Sequence, residues 1–297
     1  MVAVLLLALL ILTGLAQPAL AAESNAPAAT SGNVVREPAS RARNLLHVFL
    51  PGTGYSPGAQ AAYLDHSASL GFHTVGLSYK NSKSINSYCK DGRDADCEEN
   101  VRREIIYGVN SSSLLSVSPA KSIVGRLKTE LAARKSQPGW EQFVAPDGTP
   151  VWSKVVLSGH SQGAGHVAIM AQDQAVARVA LLAGPNDGGK GSNTSAPWVD
   201  GGPGKTSSSS WYALGHVDDA SRLRQIDAWN RLKVPSNSAK ADVPTGASRL
   251  FTTLKPSDST RGHESVVIDQ YLVKTNGGVP ALQPTWASLL TNGLAAA

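Results

Sequence analysis

Residues 154–163 read Lys154-Val155-Val156-Leu157-Ser158-Gly159-His160-Ser161-Gln162-Gly163, an apolar run that passes straight into a G-x-S-x-G turn. Residues 155–157 have the continuous apolar pattern of a strand buried on both faces, and residues 162–174 have helical composition with small residues at the start. A tight strand-to-helix turn between them needs glycine at 159 and 163, because side chains there would collide as the helix folds back on the strand. The serine at the apex is held out over the sheet edge. This context nominates Ser161 as a nucleophile and points to an α/β fold.

The surrounding chain limits what that fold serves. Residues 2–15 are nearly all apolar and lead into Gln17-Pro18-Ala19-Leu20-Ala21-Ala22, where Ala19 and Ala21 make a small-x-small cleavage pattern, although no Lys or Arg precedes the apolar run. Residues 1–21 are read as a signal peptide. The stretch is too short for a bilayer span of ~20 residues, and no cysteine stands at the cleavage point, so the expectation is a secreted or periplasmic protein without a stable membrane anchor. The net charge of +5 is interleaved with acidic residues, with no basic run alternating with aromatics, which argues against nucleic acid as a partner. Cys89 and Cys97 lie in one polar loop and, in an exported chain, are expected to pair with each other. Closing so short a loop stabilises it by about 2.5 kcal/mol in the chain-entropy model. The rival reading, a two-cysteine metal site, has no nearby histidine to complete it, so no metal is expected.

Residues 22–43 are rich in Ala, Ser, Pro and Asn without apolar periodicity and read as a disordered leader. One domain is expected over residues 44–297. Strands are predicted at 44–50, 72–79, 155–157, 176–183, 211–214 and 249–254. Helices are predicted at 59–70, 98–106, 122–134, 162–174 and 220–231, and another beginning near Val266. Residues 80–119 form a long polar insertion that carries the cysteines and is a candidate lid. Alternation of strand and helix predicts a mostly parallel sheet with helices on both faces.

A serine hydroxyl is a poor nucleophile at neutral pH, so Ser161 needs a histidine to take its proton and a carboxylate to orient that histidine. His263, in Thr260-Arg261-Gly262-His263-Glu264-Ser265 after the final strand, fits the base. His216 is the serious rival. His47, His73, His66 and His166 sit in or beside predicted strands and helices, and His160 lies inside the turn with its ring pointing away from the hydroxyl. The acid is Asp218 or Asp219, both following strand 211–214; the sequence does not separate them. Two N–H donors must meet the developing oxyanion, and these are assigned to Gln162 at the helix start and Thr53 in the Pro51-Gly52-Thr53-Gly54 turn.

Collectively the residues resemble the α/β-hydrolase superfamily of serine hydrolases, from about Asn44 to the C-terminus. The motifs F-L-P-G-T-G at 49–54, G-L-S-Y at 76–79, the Cys89 to Cys97 loop, S-G-H-S-Q-G-A-G-H at 158–166 and G-P-N-D at 184–187 resemble a little-characterised group of bacterial secreted hydrolases. The G-x-S-Q-G form is also similar to cutinases and lipases. Cutinases begin their sheet without the first two strands of the larger fold, and no strand is predicted before Asn44 here. The superfamily order of serine, acid, histidine matches Ser161, Asp218 or Asp219, and His263. Because some lipases place the acid one strand earlier, Asp187 is a third candidate, against its reading as a turn residue. The resemblance implies hydrolysis of a small-molecule or polymeric ester through an acyl-enzyme, without cofactor or metal. For a polymer, Trp198 and Trp211 are candidate surface aromatics. The competing reading is an inactive binding protein on the same fold.

Overall fold

Successive residues of the apolar runs send their side chains alternately into two separate cores, which fixes a sheet covered on both faces. Val155 and Leu157, Val179 and Leu181, and Trp211 and Ala213 pack into one core; Val156, Ala180 and Leu182, and Tyr212 and Leu214 pack into the other. The computed structural model describes residues 32–90, 94–189, 191–240 and 246–294. Its strands are β1 (Val34–Arg36), β2 (Leu46–Leu50), β3 (His73–Gly76), β4 (Val155–His160), β5 (Arg178–Leu182), β6 (Trp211–His216), β7 (Ser238–Lys240) and β8 (Arg249–Thr252). Among the described residues they form one eight-stranded sheet in the order β1-β3-β2-β4-β5-β6-β8-β7. Every pairing is parallel except β1 with β3. This is the mostly parallel sheet with helices on both faces expected from the sequence, with β4 near its centre.

The helices are α1 (Ala61–Ser69), α2 (Ile85–Tyr88), α3 (Cys97–Tyr107), α4 (Ile123–Arg134), α5 (Gln162–Asp173), α6 (Arg222–Arg231) and α7 (Gln283–Thr291). One face carries α3, α4, α5 and α6, through residues such as Ile105, Leu127, Val167 and Trp229. The other carries α1 and α7, where the Tyr63 and Trp286 rings meet edge to face, 5.3 Å between centroids. Helix α3 belongs to the insertion at 80–119, yet Val101, Ile105 and Ile106 sit fully inside the main core. Cys89 and Cys97 are disulfide-bonded, as expected, and the bond pins the first turn of α3 to the end of α2.

Two expectations are corrected, and one strand is added. Val34–Arg36, assigned to the disordered leader, is an antiparallel edge strand whose residues pair with Gly76, Val75 and Thr74, so the sheet does not begin at Asn44. Its three residues are only half buried, too short and too exposed to show apolar alternation. The helix predicted to begin near Val266 is absent: residues 266–268 form a buried turn, followed by a 3-10 turn at Asp269–Tyr271. The run Val266-Val267-Ile268 is β-branched throughout and weakly helix-forming. The last helix is α7, which carries a proline in its first turn. Strand β7, a polar edge strand, was not predicted. The predicted signal peptide at 1–21 lies outside the described residues. No described helix is long and apolar enough to cross a membrane.

Candidate active site

The turn between β4 and α5 is as tight as its glycines imply. A Cβ on Gly159 would lie 2.4 Å from the Gly163 carbonyl carbon, and one on Gly163 would lie 2.1 Å from the Leu50 carbonyl oxygen. Ser161 between them has φ 55° and ψ −114°, a conformation that costs of order 1–3 kcal/mol and persists only where its surroundings enforce it. The enforcement is local: Ser161 N–H donates to the Leu182 carbonyl at 2.8 Å, and its own carbonyl accepts from Ala164 N–H at 3.1 Å. The neighbouring Pro51-Gly52-Thr53-Gly54 turn approaches so closely that a Cβ on Gly52 would sit 2.8 Å from His160 Nδ1 and 3.2 Å from Ser161 Cβ. Thr53 and Gln162, the two expected oxyanion residues, face each other, the Thr53 hydroxyl donating to Gln162 Oε1 at 2.6 Å.

The loops after β6 and β8 bring Asp219 and His263 together. His263 Nδ1–H donates to Asp219 Oδ2 at 2.7 Å. Asp219, almost fully buried, accepts also from Gln225 Nε2 and from the Ser221 N–H, both at 2.8 Å. Burial opposes its charge, but these donors outweigh burial and hold its pKa below the usual carboxylate value. For His263, burial opposes the cation, while the hydrogen bond and charge of Asp219, helped by Glu264, raise its pKa above the usual imidazole value. With Nδ1 occupied as donor, the neutral ring carries its lone pair on Nε2, the arrangement a general base needs. The side chain is 25 % exposed, so the ring remains reachable.

Of the alternatives, Asp218 points to solvent, its carboxylate 56 % exposed and 4.0 Å from His216 Nδ1. His216 is committed to structure: Nε2–H donates to the Leu254 carbonyl at 2.9 Å and Nδ1 accepts from Asp218 N–H at 3.0 Å. The loop bearing His263 presses on it, since a Cβ on Gly262 would lie 2.8 Å from His216 Nδ1. His47 is buried between the Ser67 and Ser158 hydroxyls, its pKa driven to about 3 by burial. Asp187, the third candidate acid, is neither on the histidine nor a solvated turn residue. It is buried against Arg102, whose Nε and Nη2 reach its two oxygens at 2.5 and 2.6 Å, and accepts from Trp198 Nε1 at 2.8 Å. Trp198 and Trp211 are buried, which removes them as surface aromatics.

Two features escaped sequence reasoning. His160 Nε2–H donates to the His263 carbonyl at 3.0 Å, so the residue preceding the serine holds the backbone of the histidine loop. Burial first, then the His263 charge, keep His160 neutral with a pKa of about 3. The second is Arg102, which crosses α5 where residue 165 is glycine and donates Nη1–H to the Gln162 carbonyl at 2.8 Å. A Cβ on Gly165 would fall 2.2 Å from its guanidinium carbon, so the second glycine of Gly163-Ala164-Gly165 was the available signal. Among the described residues there is no cluster of three or more His, Cys, Asp or Glu able to hold a metal ion.

No protein-family model and no curated protein matches the chain. Solved structures similar to it include a Xanthomonas campestris pv. campestris protein assigned to the alpha/beta superfamily of hydrolases, at 14% identity and TM-score 0.38, covering 83% of this chain and 98% of that one. A bacterial heroin esterase is similar at 13% identity and TM-score 0.45, covering 87% and 85%. A phosphonate-inhibited esterase B from Lactobacillus rhamnosis is similar at 14% identity and TM-score 0.38, covering 77% and 71%.

Proposed function

We propose that the protein is a serine hydrolase of carboxylic esters, exported from the cell, which works through an acyl-enzyme on Ser161. The observation that carries this reading is the Asp219–His263 hydrogen bond on a loop whose His263 carbonyl is held by His160, the residue preceding a serine at positive φ. In the proposed cycle His263 Nε2 takes the Ser161 proton as Oγ bonds to the ester carbonyl carbon. The N–H groups of Gln162 and Thr53 receive the charge that develops on oxygen. Collapse breaks the bond to the alcohol, which leaves with the proton from His263. Water then attacks the acyl group by the same route, releasing the acid and restoring Ser161. Asp219 remains ionised and orients the ring. No cofactor or metal enters these steps.

Export is supported by the Cys89–Cys97 disulfide and by the apolar, Ala-ending N-terminal sequence. Hydrolysis of p-nitrophenyl acetate tests the activity. The wild-type chain should turn over, and Ser161→Ala and His263→Ala should each lower kcat by about 10³-fold or more. A folded wild-type protein with no turnover above the serine variant on any ester would favour the binding-protein reading.

A further inference from the structure

The space around Ser161 is of two unequal kinds. Against the serine lies a recess of about 60 Å³, walled by Thr53, Ile85, Asn86, Arg102 and Asp187. At roughly 10–15 Å³ for each water-sized group, that volume takes only a few such groups, room for a short acyl chain. The far wall resists enlargement. Ile85 is 2 % exposed and belongs to the main core, while Arg102 and Asp187 are fixed by each other, by Trp198 and by the Gln162 carbonyl. A wall in which a buried ion pair stands beside Ile85 offers methylenes little apolar surface.

Beyond Asn86, which borders both spaces, opens a cavity of about 960 Å³ between the disulfide loop and the loop after β5. Asn86 itself is fixed, donating to the Asn186 carbonyl at 3.1 Å. Sites for apolar ligands are lined mainly by hydrophobic and aromatic side chains. Among the described residues this cavity has no aromatic and no Val, Leu or Ile in its lining. It presents hydroxyls, amides and charges of both signs, Lys83 and Lys90 with Asp94 and Glu98, and the Arg224 guanidinium is taken up by the carbonyls of Asn186, Gly189 and Ser192. Among the described lining residues two lysines are balanced by two carboxylates, and such mixed charge suits a neutral, hydroxyl-rich group better than an anion.

We infer that the site takes acetyl-class esters of polyhydroxylated alcohols, such as O-acetylated sugars, the acyl group filling the recess and the sugar lying in the polar cavity. This inference rests on the serine-hydrolase reading. Water adds across the acetyl C–O bond, yielding acetate and the free sugar hydroxyl. The test uses the full mature chain and begins with fluorophosphonate labelling at Ser161, so that failure of the hydrolase reading is seen separately. With labelling established, kcat/KM on p-nitrophenyl esters should fall at least tenfold from acetate to octanoate, and glucose pentaacetate should release acetate. Ile85→Ala should move the preference toward butyrate and hexanoate. Asn86→Ala, which touches less of the core, should raise KM for glucose pentaacetate at least fivefold more than for p-nitrophenyl acetate. A preference for octanoate or longer esters overturns the inference. So does an unchanged chain-length profile in a folded Ile85→Ala variant, or equal effects of Asn86→Ala on both acetates. Absence of labelling overturns the hydrolase reading and this inference with it.

Discussion

The loops following β5 and β6 each deliver one buried carboxylate toward the end of the sheet that carries Ser161, and the two are partnered differently. Asp187 after β5 is bound by Arg102, a cation that keeps its charge at every physiological pH. Asp219 after β6 is bound by His263, whose charge changes near neutrality. A carboxylate locked to arginine can only build; one on an imidazole can store and steady a proton taken from elsewhere. The difference between a wall and a candidate catalytic acid is therefore set by the partner, while burial is alike.

The comparison can be broken from either side. The largest effect is expected at Asp219: Asp219→Asn should lower kcat by about 10³- to 10⁴-fold, because the amide favours the wrong imidazole tautomer. It should also move the acid limb of the pH profile. In the wild type the base form of His263 is lost as pH falls through a value above the usual 6.5, since its pKa is raised. Removing the Asp219 charge takes away that support, so the residual activity of the variant should persist to lower pH. Steady-state kinetics across pH 5 to 9 would check both.

At the other carboxylate the expected loss is in stability first. Arg102→Met leaves Asp187 buried without its cation and should cost about 3–5 kcal/mol in urea unfolding, whereas the double change Arg102→Met with Asp187→Asn should recover much of it. The smallest effect is expected at Asp218, whose carboxylate faces solvent. Asp218→Asn should leave stability within about 0.5 kcal/mol and kcat within twofold. A loss at Asp218 as large as at Asp219 would dissolve the comparison.

What could be seen in advance follows the range of the interactions. The central strands β2, β4, β5, β6 and β8 are apolar on both faces, and such runs announce themselves without tertiary context. The Ser161 turn is legible because Gly159 answers to a contact four residues away, at Gly163, whereas the contact that requires Gly163, the Leu50 carbonyl, lies on another strand. Edge strands β1 and β7 bury too little to leave a pattern. The choice between Asp218 and Asp219 depends on which way a one-residue step turns the side chain at the end of β6, and local composition does not encode that. The Arg102–Asp187 pair joins residues 85 apart in the chain, and its one local trace is the glycine at 165 over which the guanidinium passes. The sequence shows only that His160 precedes the serine; that its Nε2–H holds the His263 carbonyl, with the two rings 5.0 Å apart between centroids, depends on a contact 103 residues away.

The central claim is that Ser161 is chemically activated by the His263–Asp219 pair. Labelling of the purified protein with a fluorophosphonate, read by intact mass and peptide mapping, tests it most directly. One adduct per chain on Ser161, absent in Ser161→Ala and slowed at least a hundredfold in His263→Ala, is the predicted result. A folded protein that takes no label, or takes it at Ser161 equally well without His263, would contradict it.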